Sequence, residues 1–132
     1  MEDILNKYGS DATRFALSES GDTQDDANFE NQVADNSILK ISTLEMWLKE
    51  YTKTAGSSRT TAPNENIAFF DKVFENQIQN LFSQCLKSFE EMRFRDVAKY
   101  GFHEFGTIKE EYLINCDAAG PRKDLILKWI EY

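Results

Sequence analysis

Apolar residues recur at helical steps along most of this 132-residue chain. The clearest series is spaced by 4, 4, 3, 4 and 4 residues: Phe70, Phe74, Ile78, Leu81, Cys85 and Phe89. A second series follows it: Phe94, Ala98, Phe102, Phe105, Ile108 and Tyr112. Each series predicts one buried face on a helix. Because no long stretch alternates apolar and polar residues, the pattern predicts an all-α fold, an up-and-down bundle of helices.

Weaker periodicity predicts further helices, including a long one over residues 28–51. Near the N-terminus, Gly9 separates two short helices, as a glycine after a helix end commonly does. The final stretch, DLILKWIEY, begins a helix that is apolar almost all round, and such a helix needs partners on several sides. Gly101 and Gly106 fall inside the second series. Because each costs about 1 kcal/mol relative to Ala in a helix, they indicate close helix packing.

Between the two long helices, residues 52–66 have no apolar period. This stretch, TKTAGSSRTTAPNEN, is rich in Ser, Thr, Gly and Pro. Fifteen such residues are long for a connection in a small domain. We therefore expect a flexible loop over 52–66.

Charge limits the classes of function. The net charge of −8 argues against a free-standing nucleic-acid binder, which is usually basic. The excess is uneven, since residues 1–40 carry nine acids against three bases, and residues 41–132 carry fourteen against twelve. The later part can therefore hold a local basic patch. Arg93, Arg95 and Lys99 are clustered around one helix start, where they could grip a phosphate backbone. Alternatively, they only solvate outer helix faces.

Candidate chemistry is sparse. The single histidine, His103, falls between the buried positions of the second series, so we expect it at the surface. The acidic run GDTQDD lacks the spacing of an EF-hand. Cys85 and Cys116 form no CxxC pair, which favours reduced, packed thiols in a cytosolic setting. No run of about 18 apolar residues occurs. Because the stretch MEDILNKYGS carries acids early and has no apolar core, we do not expect it to be a targeting segment. We therefore predict no catalytic residue and no metal site in this chain.

Several separated motifs carry a family resemblance. The stretch KYGSDATRF resembles the segment that follows the KMSKS signature loop in class I aminoacyl-tRNA synthetases, with matching residues at Tyr8, Gly9, Asp11 and Arg14. The continuation GDTQDDANF is typical of leucyl-tRNA synthetases of the eukaryotic and archaeal cytosolic type. Farther on, FDKVFENQIQNLF and FEEMRFRDVAKYGFHEF resemble the helical anticodon-binding domain of that family. The likeness runs in order over nearly the whole chain.

The resemblance implies a domain organisation. Residues 1–26 would form the junction after the catalytic signature loop, and residues 27–132 the anticodon-binding bundle, truncated at its C-terminal end. Gly9, Asp11 and Arg14 would be the structural residues of this junction. Asp11 and Arg14 would tie the short helix to the bundle or to tRNA. Alternatively, they form an ion pair three residues apart on the helix surface.

The function implied is that of a tRNA-binding domain of a leucine-tRNA ligase. It would position tRNA(Leu) for aminoacylation by the catalytic domain of the parent chain, which is absent here together with its active site. Shape and backbone contacts would dominate, since leucine has six codons. The candidate tRNA contacts are Arg14, Lys49, Lys53, Arg93, Arg95 and Lys99.

The partners and location follow from the same resemblance. We expect tRNA(Leu) and the parent's catalytic domain as partners, no DNA and no membrane, and a cytoplasmic location. ATP and Mg²⁺ are implied for the parent enzyme, and no cofactor for this fragment. The alternative is a non-catalytic protein–protein interaction module that docks through an exposed apolar end near Trp129.

Overall fold

The computed structural model describes residues 2–21, 29–54 and 58–132, which contain six α-helices. They are α1 (Glu2–Ser20), α2 (Asn31–Thr54), α3 (Glu65–Glu90), α4 (Phe94–Ala98), α5 (Glu104–Cys116) and α6 (Lys123–Glu131). A π-helical turn, Lys99–His103, joins α4 to α5, and a 3₁₀ turn, Asp117–Ala119, follows α5. In these ranges β pairing is confined to one isolated bridge, Arg59 with Arg122. The predicted all-α bundle is confirmed, whereas the proposed domain boundary after residue 26 lies outside the described residues.

The first helix is broken at Gly9. Its backbone angles there, φ 77° and ψ 169°, are not helical and belong to a region that glycine adopts without steric penalty. Thr13 donates its hydroxyl to the Gly9 carbonyl over 2.7 Å, which anchors the segment after the break. The predicted separation of two short helices at Gly9 is therefore observed, although the two helices follow each other without a loop.

A small core lies between α1 and α2. Ala12 and Ala16 of α1 are buried beside Ala34 of α2, with Tyr8 at one end. The Tyr8 ring lies 5.6 Å from the ring of Phe29, measured between centroids. Because three of the four buried residues of this core are alanines, no large side chain separates the helices at these positions.

The main core is formed by α3, α5 and α6, with the inner side of α2 against it. The rings of Phe74 on α3 and Tyr112 on α5 are stacked, with centroids 4.2 Å apart. The two predicted apolar series therefore face each other. The fully buried large side chains of this core are Phe74, Ile78, Cys116, Leu125 and Ile126.

The ends of both predicted series are not buried. Phe89 is 58% exposed and Phe94 is 43% exposed, so the prediction of continuous buried stripes is wrong at these positions. The reason is the tight turn between α3 and α4, where Met92 adopts a positive φ of 58°. Beyond the turn, Phe89 and Phe94 contact each other edge to face, with centroids 6.1 Å apart.

The connection between α2 and α3 is shorter than the predicted 52–66. The α2 helix continues to Thr54, and Asn64 caps α3 by accepting a hydrogen bond from the Ile67 amide over 2.9 Å. Arg59 is also held, since its amide donates to the Pro121 carbonyl and its carbonyl accepts from the Lys123 amide. The flexibility of this loop stays a prediction, but at Arg59 the backbone is paired with the start of α6.

The two glycines of the second series differ. A Cβ on Gly101 would lie 2.8 Å from the Sγ of Cys85, whereas one on Gly106 would meet nothing within 4 Å. Close helix packing therefore explains Gly101, which lies in the π-helical turn, and does not explain Gly106.

Candidate nucleic-acid interface

The six predicted tRNA contacts are all exposed, and they lie in two groups. Lys49 and Lys53 are on the last turns of α2, whereas the other four lie on α1, on α4 and in the turns flanking α4. Lys40 of α2 lies beside the π-helical turn, because its Nζ is 3.1 Å from the Nδ1 of His103. Lys49 is nine residues farther along α2, so it lies about 14 Å from that contact along the helix axis.

In the α2 group, Lys49 forms an exposed ion pair with Glu45, with Nζ and Oε1 2.5 Å apart. The hydrogen bond from Lys49 lowers the pKa of the Glu45 carboxyl. A phosphate at this point would therefore compete with an acid one helical turn away.

The cations of α4 and the turns beside it are also close to acids. Arg93 lies between Glu91 and Asp96, at 2.7 and 2.5 Å. Lys99 is 3.6 Å from Glu104. Such exposed pairs contribute little to stability, about 0–1 kcal/mol, so exchange of an acid for a phosphate is energetically accessible.

Among the candidate tRNA contacts with a described ion pair, Arg14 has the longest one. It is 81% exposed, and its ion-pair partner among the described residues is Asp11, whose Oδ1 is 4.0 Å from Nη1 of Arg14. Asp11 and Arg14 therefore form an ion pair on the helix surface, which was the alternative to a tie with the bundle or with tRNA. A role for Arg14 in binding tRNA stays a prediction.

The fold brings Arg14 close to Phe94, eighty positions away in the sequence. Together with Leu17, Ser18 and Gly21 these residues line a cleft of about 390 Å³ between α1 and α4. The sequence pattern placed Phe94 in a buried face and so gave no indication of this cleft.

His103 connects three elements. Its Nε2 contacts the Glu19 carboxylate of α1, and its Nδ1 faces Lys40 of α2. The side chain is 29% exposed, so the expected surface position is only half right. The π-helical turn that carries His103 is thereby joined to both N-terminal helices.

A buried ionic cluster ties the start of α3 to the junction of α5 and α6. Arg59 donates to both carboxylate oxygens of Asp71, at 2.9 and 2.5 Å, and its Nε donates to the Gly120 carbonyl over 2.8 Å. The hydroxyl of Tyr112 donates to Asp71 over 2.7 Å and accepts from the Arg122 amide over 3.0 Å. We call these four side chains, Arg59, Asp71, Tyr112 and Arg122, the clamp.

The clamp fixes the charge of Asp71. Burial alone would raise the pKa of this carboxyl, but the hydrogen bonds from Arg59 and Tyr112 outweigh burial and hold the pKa below its usual value. Burial raises the pKa of the Tyr112 hydroxyl, and its hydrogen bond to Asp71 adds to the increase. The cluster therefore remains an ion pair with a neutral tyrosine near pH 7.

Sequence reasoning missed the clamp, although a signal was present. Asp71 precedes Phe74 and Ile78 by three and seven residues, so it shares their buried helix face. A buried acid on such a face requires a cationic partner. The sequence does not indicate which cation supplies it, because Arg59 lies in the irregular connection.

An apolar groove of about 660 Å³ runs between α2, α5 and α6. Its walls include Leu39, Trp47 and Ile130, and Leu39 is 66% exposed. Lys109 is buried in the wall, with its Nζ 4.0 Å from the ring centroid of Trp47. The expected exposed apolar end near Trp129 is present, since Leu127, Ile130 and Tyr132 are exposed. Trp129 itself is buried, and its Nε1 donates to the Phe105 carbonyl over 2.8 Å.

Three relatives align along nearly the whole chain. The cytoplasmic leucine–tRNA ligase of Neurospora crassa is 36% identical over 132 residues, which cover 98% of this chain and 11% of the ligase. The Saccharomyces cerevisiae enzyme of the same name is 33% identical, covering 99% and 12%. That of Arabidopsis thaliana is 31% identical, covering 96% and 11%. The chain belongs to the leucine–tRNA ligase family.

The predicted resemblance to leucyl-tRNA synthetases is thus confirmed, with this chain as one segment of such a ligase. It spans 11–12% of the length of these three relatives. No family model matches it. Over the described ranges, no three His, Cys, Asp or Glu side chains are grouped as a metal site would require. None of the described helices combines the length and apolarity needed to cross a bilayer.

Proposed function

We propose that this ligase segment is a tRNA-binding helical domain that positions tRNA(Leu) for aminoacylation. The reaction itself would take place on a catalytic domain of the parent ligase, outside this chain. The observation that carries the proposal is the alignment of 98–99% of the chain with cytoplasmic leucine–tRNA ligases. The cytoplasmic location predicted for the chain agrees with the names of these relatives.

The role is architectural. A rigid bundle can hold a tRNA by its phosphates while the reacting end lies elsewhere. The best supported contacts are the four cations on α1, on α4 and in the turns flanking α4, because Arg14 lines a cleft with Phe94, and the other three lie within five residues of Phe94 in the sequence: Arg14, Arg93, Arg95 and Lys99. The anticodon-binding assignment follows the family resemblance. ATP and Mg²⁺ would be bound by the parent's catalytic domain, and we assign no residue of this chain to them.

Titration of the chain with a tRNA(Leu) transcript at several salt concentrations tests the proposal. If four phosphates are neutralised, log K should fall against log salt with a slope of about −3. Replacing the four cations with Gln should flatten the slope to near zero. The variant K72Q/K123Q removes two exposed cations outside this region and should leave the slope unchanged. Binding without salt dependence would contradict the phosphate contacts.

The variant K49Q/K53Q tests whether the second group, Lys49 and Lys53, also contacts tRNA. If the last turns of α2 also contact tRNA, this variant should reduce the magnitude of the slope by about 1.4–1.8. No change would restrict the interface to the α1 and α4 side.

The second candidate function is a protein–protein interaction module. The exposed apolar groove between α2, α5 and α6 favours it, as does the net charge of −8. Light scattering over a range of concentrations measures the oligomeric state and so distinguishes this function from tRNA binding. A stable dimer that is disrupted by Leu39→Glu, together with no tRNA binding at low salt, would support the interaction module and contradict the tRNA-binding role.

A further inference from the structure

We propose that the cleft between α1 and α4 binds an unpaired nucleotide of an RNA, with its base stacked on Phe94 and an adjoining phosphate on Arg14. The inference rests on the proposed tRNA-binding function and specifies one contact within it. It assigns to Phe94 a role in binding that differs from core packing.

The first observation is the exposure of an aromatic ring among cations. Phe94 is 43% exposed, and its described ring contact is the edge-to-face one with Phe89. Arg93 and Arg95 flank it in the sequence and are exposed. Exposed aromatic rings with cationic side chains nearby are the usual stacking platforms for unpaired bases, since every base has a π face.

The second observation is that Arg14, on α1, lines the same cleft as Phe94, on α4. Among the described residues its guanidinium pairs with Asp11 at 4.0 Å, and both side chains are more than four-fifths exposed. A guanidinium can donate two parallel hydrogen bonds to a phosphate, which is a better geometry than this long ion pair. A nucleotide between the walls could therefore engage Phe94 and Arg14 together.

The third observation is the size and lining of the cleft. Its volume of about 390 Å³ lies within the range of about 300–1,000 Å³ found for small-ligand sites. Leu17 supplies an apolar wall. The Ser18 hydroxyl donates to the Phe15 carbonyl over 2.7 Å, which leaves its oxygen able to accept a hydrogen bond from a base amino group.

The ligand must be unpaired. A base inside an A-form duplex presents no free face to a side chain set in a cleft, whereas bases of loops and bulges can be splayed out and stacked. The inferred partner is therefore a single-stranded loop of the tRNA and not one of its stems.

The test uses the intact chain, a tRNA(Leu) transcript and five variants. Phe94→Ala should weaken binding about 5- to 100-fold and leave the salt slope unchanged, because stacking releases no counterions. Phe94→Tyr should retain wild-type affinity, because it keeps the ring. Arg14→Gln should weaken binding and reduce the magnitude of the slope by about 0.7–0.9. Phe69→Ala is the matched control, since Phe69 is also exposed but lies about 30 Å from Phe89 along α3.

Phe94→Leu separates stacking from apolar packing. If Phe94→Leu binds like the wild type, apolar bulk suffices and the inference is wrong. If Phe94→Ala binds like the wild type while the wild type shows its salt slope, the inference is wrong but the proposed function remains. Absence of wild-type binding at low salt would overturn both. Circular dichroism melting of each variant checks that the fold is retained.

Discussion

Between α1 and α2 three of the four buried hydrophobic residues are alanines, with Tyr8 as the fourth, whereas between α3, α5 and α6 the buried residues are mostly aromatic or branched. At the alanine positions of the first interface, a larger side chain would have to displace its neighbours. The interface of α3, α5 and α6 gains stability from the burial of large apolar side chains, each of which contributes roughly 1.5–3 kcal/mol when fully buried. The two interfaces of this bundle should therefore respond differently to substitution.

The polar contacts differ in the same way. The clamp is buried, with Asp71 almost without exposure, and its ion pair cannot be replaced by water. The contacts of His103 with Glu19 and Lys40 are half-exposed, so water can satisfy these groups when a partner is lost. We therefore expect the stability of α3, α5 and α6 to depend on a few buried polar residues that cannot be replaced. The packing of α1 on α2 should depend on the small size of its buried alanines.

The largest expected effect is truncation in the main core. Phe74→Ala should lower the free energy of unfolding by about 3–5 kcal/mol, because it removes a ring that is buried and stacked on Tyr112. Phe69→Ala, at an exposed position on the same helix, should change it by less than about 0.5 kcal/mol. Urea denaturation at pH 7 measures both. Equal losses would show that Phe74 does not belong to a packed core.

Breaking the clamp should have nearly the same effect. Arg59→Ala leaves Asp71 without its main partner, and the loss of one member of a buried ion pair costs about 3–5 kcal/mol. His103→Ala should cost less, about 1 kcal/mol, since the hydrogen bonds of His103 to Glu19 and Lys40 are only partly buried. Chemical denaturation of the two variants side by side gives the comparison. A larger loss for His103→Ala would reverse our ranking of the two polar contacts.

The clamp also predicts a pH dependence. The folded pKa of Asp71 lies below its unfolded value, so its contribution to stability is present above about pH 4 and is lost as the pH falls through the folded pKa. Asp71→Asn removes this contribution. The stability difference between wild type and Asp71→Asn, measured by urea denaturation from pH 7 to pH 2, should therefore shrink below about pH 4. A difference that stays constant over this range would mean that Asp71 titrates normally.

Enlarging a residue should damage the alanine interface. Ala16→Leu places three extra carbons where the side chain is fully buried between α1 and its neighbours, and overpacking of this kind costs about 1–3 kcal/mol. Ala118→Leu is the control at an exposed alanine and should have little effect. Thermal melting followed by circular dichroism measures both. If Ala16→Leu is tolerated, α1 and α2 are not held by close approach.

The smallest effects concern the two glycines. Gly106→Ala should stabilise the chain by about 0.5–1 kcal/mol, because helix propensity improves and the new methyl group meets nothing. Gly101→Ala should be less stable than Gly106→Ala by about 1 kcal/mol or more, because its methyl group approaches the sulfur of Cys85. Adding Cys85→Ala to Gly101→Ala should relieve the contact, which a double-mutant cycle of melting curves measures. Without such relief, the contact would not explain Gly101.

The helical periodicity was sufficient to predict the fold. The central parts of both series, from Phe74 to Leu81 and from Phe105 to Tyr112, are buried and face each other as expected. The outer ends failed because periodicity reports which face of a helix a residue occupies and not whether another helix covers that end. Phe89 and Phe94 lie on the right faces but extend beyond the packed region.

The sequence predicted which residues could form the interface but not how they are arranged in space. Arg14, Arg93, Arg95 and Lys99 were named from the sequence, and they are exposed as a binding surface requires. The cleft formed by Arg14 with Phe94 could not be predicted, because its walls come from helices eighty residues apart. The clamp could not be predicted for the same reason, since Arg59 reaches Asp71, Tyr112 and Gly120 from an irregular segment.

The sequence alone determined that this chain is helical and that it is a segment of a leucine–tRNA ligase, because local spacing and ordered motifs carry both kinds of information. The tertiary structure decided which aromatic rings are buried and which remain exposed, and which cation neutralises the buried Asp71. These outcomes depend on where helices end and cross, and that is set by contacts between residues far apart in the chain.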